Sequence, residues 1–321
     1  MVTSAGERAD DGTTVVDVAV IGAGPAGLSA ALNLVRARRT VLLVDANRPR
    51  NAATLRSHGF LTRDGISPLE LRKLGREEVE RYPEATVVQS VVDRVARDGA
   101  GWTVHGSWRG TELHARARAV VVATGLREEF PALPTLRAFY GTSVHSCVEC
   151  DGYEHGDEPL AFLCETPDVV DRALLVASWT DDLVVYTNGA PVLDEGGRAR
   201  LAAAGVRVDE RAVADIEGDR SGMTGVRLVD GDVRAHTGAF VRPRWHADLD
   251  WVEAPLDRDD EGLVRVDRLG RTGVAGLYAI GDVTPPGPEQ LVVAAGHGAS
   301  TAAAVHRDLV GGLEDLRDAV Q

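Results

Sequence analysis

From Thr14 the chain reads Thr-Val-Val-Asp-Val-Ala-Val-Ile, a nearly continuous β-branched run that predicts a buried strand. A glycine-rich turn follows, Gly22-Ala23-Gly24-Pro25-Ala26-Gly27. Apolar residues then recur at helical spacing from about Pro25 to Arg38, and a second apolar run, Val41 to Val44, stops at Asp45. Strand, turn, helix and strand form a βαβ unit, which asks for a parallel sheet.

Asn47 to Pro68 carries little regular pattern and leads into a charged helix from about Pro68 to Arg81. Strand-like pieces around Thr86–Val92 and Trp102–Val104 read as a meander laid over the sheet. Ala119 to Ala123 is another buried strand, closing on Thr124-Gly125. Pro131 and Pro134 then mark a crossing into a second unit. There the strand Pro159–Cys164, the helix Asp168–Trp179 and the strand Leu183–Thr187 make a second βαβ pattern. The chain returns near Val241–Asp250. A late strand, Leu277 to Ile280, ends in Gly281-Asp282, and an alanine-rich helix spans Val292–Leu309.

At 321 residues two domains are the natural expectation. The fold class is α/β, with 14–127 as the first part of a dinucleotide domain and 242–321 as its second part. An inserted unit, 128–241, carries a Cys-x-x-Cys pair, and 1–13 is expected to be a disordered tail. The net charge of -14 argues against nucleic acid or an anionic membrane as partner. Met1 to Thr13 has no apolar h-region and no run is long enough to span a bilayer, so neither signal peptide nor membrane segment is expected. Three cysteines do not make a secreted disulfide framework, which points to a reducing cytoplasm.

The chemistry concentrates at Cys147-Val148-Glu149-Cys150-Asp151-Gly152. Two thiols two residues apart can close a disulfide, and an adjacent carboxyl can move the proton that thiolate attack requires. In the glycine turn, Gly22 permits the tight bend, Gly24 lets backbone approach a pyrophosphate, and Gly27 lets helix and strand pack closely. Pro25 and Ala26 open the helix whose N-terminus would hold that anion, and Asp45 stands where a carboxylate binds a ribose. His145, Cys147, Cys150 and His155 could also be read as a compact zinc site, but four ligands this close would crowd one another. Glu149 is expected to face solvent, because an anion beside a thiol disfavours the thiolate.

Taken together, the fingerprint near residue 22, the dithiol near 147 and the Gly-Asp at 281 resemble the low-molecular-weight thioredoxin reductase family over essentially the whole chain. The resemblance implies two Rossmann-like domains, an FAD domain with an inserted NADPH-domain-like unit. It implies FAD bound by Gly22, Gly24, Pro25, Ala26, Gly27 and Asp45. To these it adds Asn51 and His58, Val92, and Thr124 with Gly125. Gly281 with Asp282 and Gln290 with Leu291 would hold the ribityl chain and isoalloxazine. Cys150 would be the thiol facing the flavin, Cys147 the interchange thiol and Asp151 the acid/base. A homodimer is implied as well.

The likeness breaks at the second nucleotide turn, Leu163-Cys164-Glu165-Thr166-Pro167-Asp168-Val169-Val170, which has no glycine and carries two carboxylates where a pyrophosphate would sit. The next strand ends in Thr187-Asn188-Gly189, without the basic cluster that reads NADPH in the reductases. NADPH binding is therefore not expected. This pattern, with Arg50-Asn51, the Ser57–Gly65 segment and the Ala173–Asp182 helix region, is similar to the FAD-dependent dithiol oxidases of disulfide natural products, the gliotoxin and holomycin oxidases. That likeness implies a small-molecule dithiol as substrate, with O2 as final acceptor and hydrogen peroxide as product. Three alternatives stand beside it: an NADPH-dependent disulfide reductase, a reductase fed by ferredoxin or another flavoprotein, and a flavin redox sensor without turnover. Cys164 is read as a buried strand-end residue, His58 and His297 as structural histidines, and Trp245 and Trp251 as core.

Overall fold

The computed structural model describes residues 7–9 and 12–311 of the chain, which divide into two compact bodies. One is built from residues up to 50, 59–127 and from 246 onward; the other from 51–58 and 128–245. Most of the expected tail lies outside the described residues, but Glu7 and Arg8 pair antiparallel with Val15 and Thr14.

The first body is organised by Thr14–Ile21, whose residues Val18, Ala19 and Val20 are fully buried. It runs parallel to Val41–Asp45 on one side and to Thr111–Val122 on the other. Ala85–Gln89 extends the parallel sheet beyond Val41–Asp45. The expected piece Thr86–Val92 is thus two strands, because Ser90 hands its N–H to the Asp45 carbonyl and the chain turns into Val91–Asp98. Val91–Asp98, Gly101–Trp108 and the start of Thr111–Val122 form the antiparallel meander. Thr111–Val122 runs well beyond the expected Ala119–Ala123, alternating exposed and buried before its last four positions are all covered. Leu277–Ala279 pairs with its end, at Val120 to Val122.

This register sets Ile21, Val44, Val122 and Ala279 side by side, so Gly22, Asp45, Thr124 and Gly281 all leave the same edge of the sheet. Ligands of open α/β sheets bind beyond the carboxyl ends of the strands. The helix Pro25–Arg36 covers one face with Leu34 and Val35 against Val18 and Val20. The C-terminal helix Leu291–Gly311 packs on it so closely that a Cβ at Gly298 would lie 2.1 Å from the Ala26 carbonyl oxygen.

The second body holds a five-stranded parallel sheet in the order Arg207–Asp209, Leu183–Tyr186, Leu160–Cys164, Gly238–Arg242, Val144–His145. A three-stranded antiparallel sheet, Val213–Asp219, Gly222–Leu228 and Val233–Ala235, covers one side, an element with no counterpart in the sequence reading. The helix expected over Asp168–Trp179 is shorter, Val169–Val176. It stops because the Trp179 carbonyl accepts the Asp157 N–H and the Thr180 hydroxyl donates to the Glu158 carbonyl, pulling the chain out of register.

Candidate redox and dinucleotide sites

Cys147 and Cys150 are joined by a disulfide, with Cα atoms 5.2 Å apart. Cys147 is the N-cap of a single helical turn, Val148–Asp151, seated by the buried side chain of Val148. Gly152 closes the turn where no other residue fits: a Cβ there would lie 2.5 Å from the Val148 carbonyl oxygen and 3.0 Å from the Trp179 indole. Asp151, one residue past the dithiol, is largely covered, and its Oδ1 lies 3.2 Å from Nδ1 of His145. His155 turns its own Nδ1 to Glu158, at 2.9 Å. Each histidine of the zinc alternative therefore faces a carboxylate, and the two thiols hold each other. Asn51 and His58 belong to this second body, where His58 Nε2 lies 3.5 Å from Glu154 Oε1. Glu149 is exposed, as expected.

The dinucleotide turn lies in the first body. Gly22 adopts φ +112°, a region that favours glycine, and a Cβ on it would meet the Ala123 carbonyl oxygen at 2.3 Å. A Cβ on Gly27 would lie only 1.8 Å from the Gly22 carbonyl oxygen, so the third glycine is required by strand–helix packing. Gly24 differs, since nothing stands within 4 Å of its Cβ position. Its backbone is ordinary extended chain, and it caps a helix with Pro25 in the first turn and no side chain on the free N–H groups. An open approach to unpaired helix N–H donors is what a pyrophosphate needs, so these residues fit a dinucleotide.

Asp45 is buried; its Oδ1 accepts the Asn47 N–H and its Oδ2 the Arg72 guanidinium, each at 2.7 Å. Arg72 escaped the sequence reading because only the fold brings the helix Pro68–Glu80 alongside Asp45. Asp282 is paired with Arg50 at 2.8 Å, yet burial pushes its carboxyl above the usual range. Gly281, at φ +71°, donates its N–H to Nδ1 of His297 at 3.2 Å. Burial lowers the His297 pKa, and with Nδ1 accepting the Gly281 N–H the neutral ring carries its proton on Nε2. A cavity of about 440 Å³ opens here, bordered by Gly281, Asp282, Pro286, Glu289, Val293 and His297. Gln290 and Leu291 start the C-terminal helix beside it, Val92 lies just past the end of Ala85–Gln89, and Gly125 turns at φ +66°. The cofactor residues expected from sequence thus fall in the first body, except Asn51 and His58.

The second nucleotide turn is filled by its own side chains. Asp168 accepts from the Thr166 hydroxyl at 2.5 Å, from Arg242 Nε at 2.9 Å and from Arg172 Nε at 3.3 Å. Burial alone would raise its pKa, but the Thr166 hydroxyl and then the two guanidiniums outweigh this and hold the carboxyl below the ordinary range. Glu165 takes the Asn188 amide at 2.6 Å, and the same Asn188 receives the Val213 N–H. Cys164 is buried with its thiol pKa pushed up by burial, an inert strand-end residue.

Two nucleotide-type α/β bodies and a Cys-x-x-Cys disulfide define a thiol–disulfide oxidoreductase of the two-Rossmann flavoprotein type. The profile of the pyridine nucleotide-disulphide oxidoreductase family matches residues 16–185 and 191–298, and the chain belongs to that family. The solved structure of HlmI is 38% identical, with a TM-score of 0.86 over 98% of this chain and 97% of its own. An oxidoreductase from Agrobacterium tumefaciens is 33% identical, with a TM-score of 0.84 over 93% of this chain and all of its own (100%). The thioredoxin reductase of Mycolicibacterium smegmatis is 29% identical over 303 residues, 89% of this chain and 94% of that protein. The protein is accordingly a thioredoxin-reductase-like enzyme of disulfide chemistry. Among the described residues no helix is long and apolar enough to cross a membrane.

Proposed function

We propose that this protein is an FAD-dependent dithiol oxidase that closes a disulfide in a small-molecule dithiol, with O2 as terminal acceptor and hydrogen peroxide as by-product. One observation carries the choice of oxidase over reductase. The turn that would cradle a nicotinamide dinucleotide in the second body holds a fixed anion, Asp168, stapled by Thr166, Arg172 and Arg242. A second carboxylate, Glu165, is bound to Asn188 beside it. A pyrophosphate would have to displace both carboxylates and would find no glycine to approach.

In this reading a substrate thiolate attacks Cys147, the Cys147–Cys150 bond breaks, and Cys150 leaves as thiolate. The second substrate thiolate then attacks the substrate sulfur of the mixed disulfide, releasing Cys147 and the product disulfide. Asp151 takes the protons that the substrate thiols give up. Gly24 and the N-terminus of Pro25–Arg36 would hold the FAD pyrophosphate, and Asp45 and Asp282 its ribose and ribityl hydroxyls. Bound FAD supplies a two-electron acceptor for the dithiol that O2 can reoxidise. A homodimer in the cytoplasm, without nucleic acid or NADPH as partner, completes the proposal.

The test is stoichiometry under air with dithiothreitol and no pyridine nucleotide. Equal amounts of O2 consumed, disulfide formed and peroxide released support the oxidase. Absence of oxygen uptake from an enzyme whose disulfide is nevertheless reduced returns the reading to a reductase or a sensor.

A further inference from the structure

We propose that His297 is a positioning residue of the flavin site: its Nδ1 holds the Gly281–Asp282 corner in the form that receives the cofactor, and only a neutral imidazole can do so. The inference rests on the FAD placement proposed above and deepens it. It does not depend on which donor or acceptor the flavin serves.

The strand Leu277–Ala279 ends its ladder at Ile280, whose N–H still reaches the Val122 carbonyl at 2.9 Å. Gly281 is the first residue beyond it and turns at φ +71°. A Cβ there would stand 2.9 Å from the Ala26 Cβ and 3.8 Å from the Ala294 Cβ, so the corner is wedged between the helices Pro25–Arg36 and Leu291–Gly311. Its carbonyl accepts the Thr284 N–H at 3.0 Å and the Thr284 hydroxyl at 2.8 Å. Its N–H has left the sheet and faces the C-terminal helix, and the carbonyls of a helix interior are already bonded along the helix. A side chain must supply the acceptor, and His297 Nδ1 does so at 3.2 Å.

Asp282 follows directly. Its side chain is 17% exposed, and Oδ2 is taken by Arg50 Nη2 at 2.8 Å, which leaves Oδ1 for a ligand hydroxyl. His297 and Asp282 both border the cavity of about 440 Å³. The imidazole offers an N–H on Nε2 and the carboxylate an acceptor, the two partners that a hydroxyl needs. The corner is thus held twice, through its backbone by His297 and through its carboxylate by Arg50. Without the imidazole bond, the glycine is free to leave φ +71° and carry Asp282 with it.

An imidazolium has hydrogens on both nitrogens, so a protonated His297 would set Nδ1–H against the Gly281 N–H. Burial keeps the ring neutral below the usual imidazole range, and Asp267 opposes this only in part. The other charged groups around the cavity are Arg268, Asp282 and Glu289; Asp267 is itself held by Arg271, and Asp282 by Arg50. Cofactor affinity is then level above the imidazole pKa and falls as pH drops through it. Asp282, whose pKa is raised by burial, adds a separate loss at lower pH.

The test titrates FAD into apoprotein, read by quenching of flavin fluorescence, from about pH 7.5 down to about pH 4.5, the span around imidazole and carboxyl ionisation. His297→Leu removes the acceptor at similar size, and FAD affinity near neutrality should fall about 5-fold to 50-fold, the cost of an unpaired N–H. His297→Asn places its Oδ1 where Nδ1 stood, so affinity near neutrality should return to within about threefold of wild type. In acid, wild-type affinity should fall by up to about tenfold per pH unit beyond that of the Asn variant, whose remaining slope belongs to Asp282. ADP, which engages only the Gly24 turn, should bind both variants as it binds the wild type. Unchanged FAD affinity in the Leu variant, ADP binding weakened in step with FAD, or coincident wild-type and Asn profiles overturns the proposal. If the Leu variant does not fold, the Asn comparison decides alone. Wild-type apoprotein that takes up no FAD would instead overturn the cofactor placement on which the proposal rests.

Discussion

Replacing Gly24 by alanine separates what the dinucleotide turn does for the fold from what it does for a ligand. A Cβ at this position meets no protein atom within 4 Å, and the backbone, at φ -79° and ψ -177°, suits alanine. Alanine reduces the freedom of the unfolded chain, which stabilises by about 0.4–1 kcal/mol at a compatible site. As an N-cap it is poorer than glycine by a similar amount. The two offset, and urea unfolding of the apoprotein should change by less than about 0.5 kcal/mol. A methyl in the open approach would cost at least one charge-assisted hydrogen bond to a pyrophosphate, about 1.5–3 kcal/mol. FAD affinity, titrated into apoprotein, should therefore fall about 10-fold to 150-fold. Gly27→Ala is the contrast: its Cβ would stand 1.8 Å from the Gly22 carbonyl oxygen, so the apoprotein itself should lose about 1–3 kcal/mol. An unchanged FAD affinity in Gly24→Ala would refute the placement of the pyrophosphate.

Cys147→Ser and Cys150→Ser should each fold and bind flavin yet lose dithiol-driven flavin reduction by more than about a thousandfold, checked by anaerobic mixing. Asp168→Asn removes the anion that Arg242 and Thr166 hold; urea unfolding should show a loss of about 2–3 kcal/mol, with little from the exposed Arg172 pair. Because the Asp168 carboxyl is held below its ordinary range, its contribution is present above the unfolded pKa and fades as pH falls through the folded one. His236 is buried against Tyr186 and its pKa is lowered, mainly by burial, from 6.5 to about 4. Its folded form resists a proton that the unfolded chain accepts, so stability should fall by roughly 3 kcal/mol between about pH 6.5 and 4, a slope that His236→Gln flattens in urea titrations. Asp308, gripped by Arg271 through both oxygens and by the Tyr278 hydroxyl, should cost about 3–5 kcal/mol on change to alanine, read by the same unfolding assay.

The parts of this protein legible in sequence are those where local chemistry and fold coincide. Val41–Asp45 is apolar until its final carboxylate, so the strand and the candidate acid at its end could be read from one short run. The fingerprint was legible because its glycine spacing stands directly between strand and helix; Gly22 and Gly27 answer to close packing, while Gly24 leaves an open approach. Thr111–Val122 was half hidden because its first residues alternate with solvent while serving the meander, and only its end is buried throughout. The antiparallel sheet 213–235 was missed because glycines interrupt it: a Cβ on Gly218 or Gly225 would strike Phe139 or neighbouring backbone, and Gly222 turns at φ +136°. At the sites, the disulfide pair and its neighbouring acid could be named from sequence, but the partners of the acids could not. Arg72 with Asp45, Arg50 with Asp282 and Arg242 with Asp168 are brought together only by chain folding across 27, 232 and 74 residues. The loss of the second glycine turn was visible as missing residues; that the remaining side chains bind one another there was not.

The most direct measurement is an anaerobic comparison of two reductants on the flavin-loaded enzyme, NADPH in one arm and dithiothreitol in the other, read by the visible flavin absorbance. Bleaching by the dithiol alone, with colour restored and peroxide formed on admitting air, is the outcome expected of an oxidase whose second nucleotide turn is filled by Glu165 and Asp168. Rapid bleaching by NADPH would contradict it and make this enzyme a pyridine-nucleotide-dependent reductase.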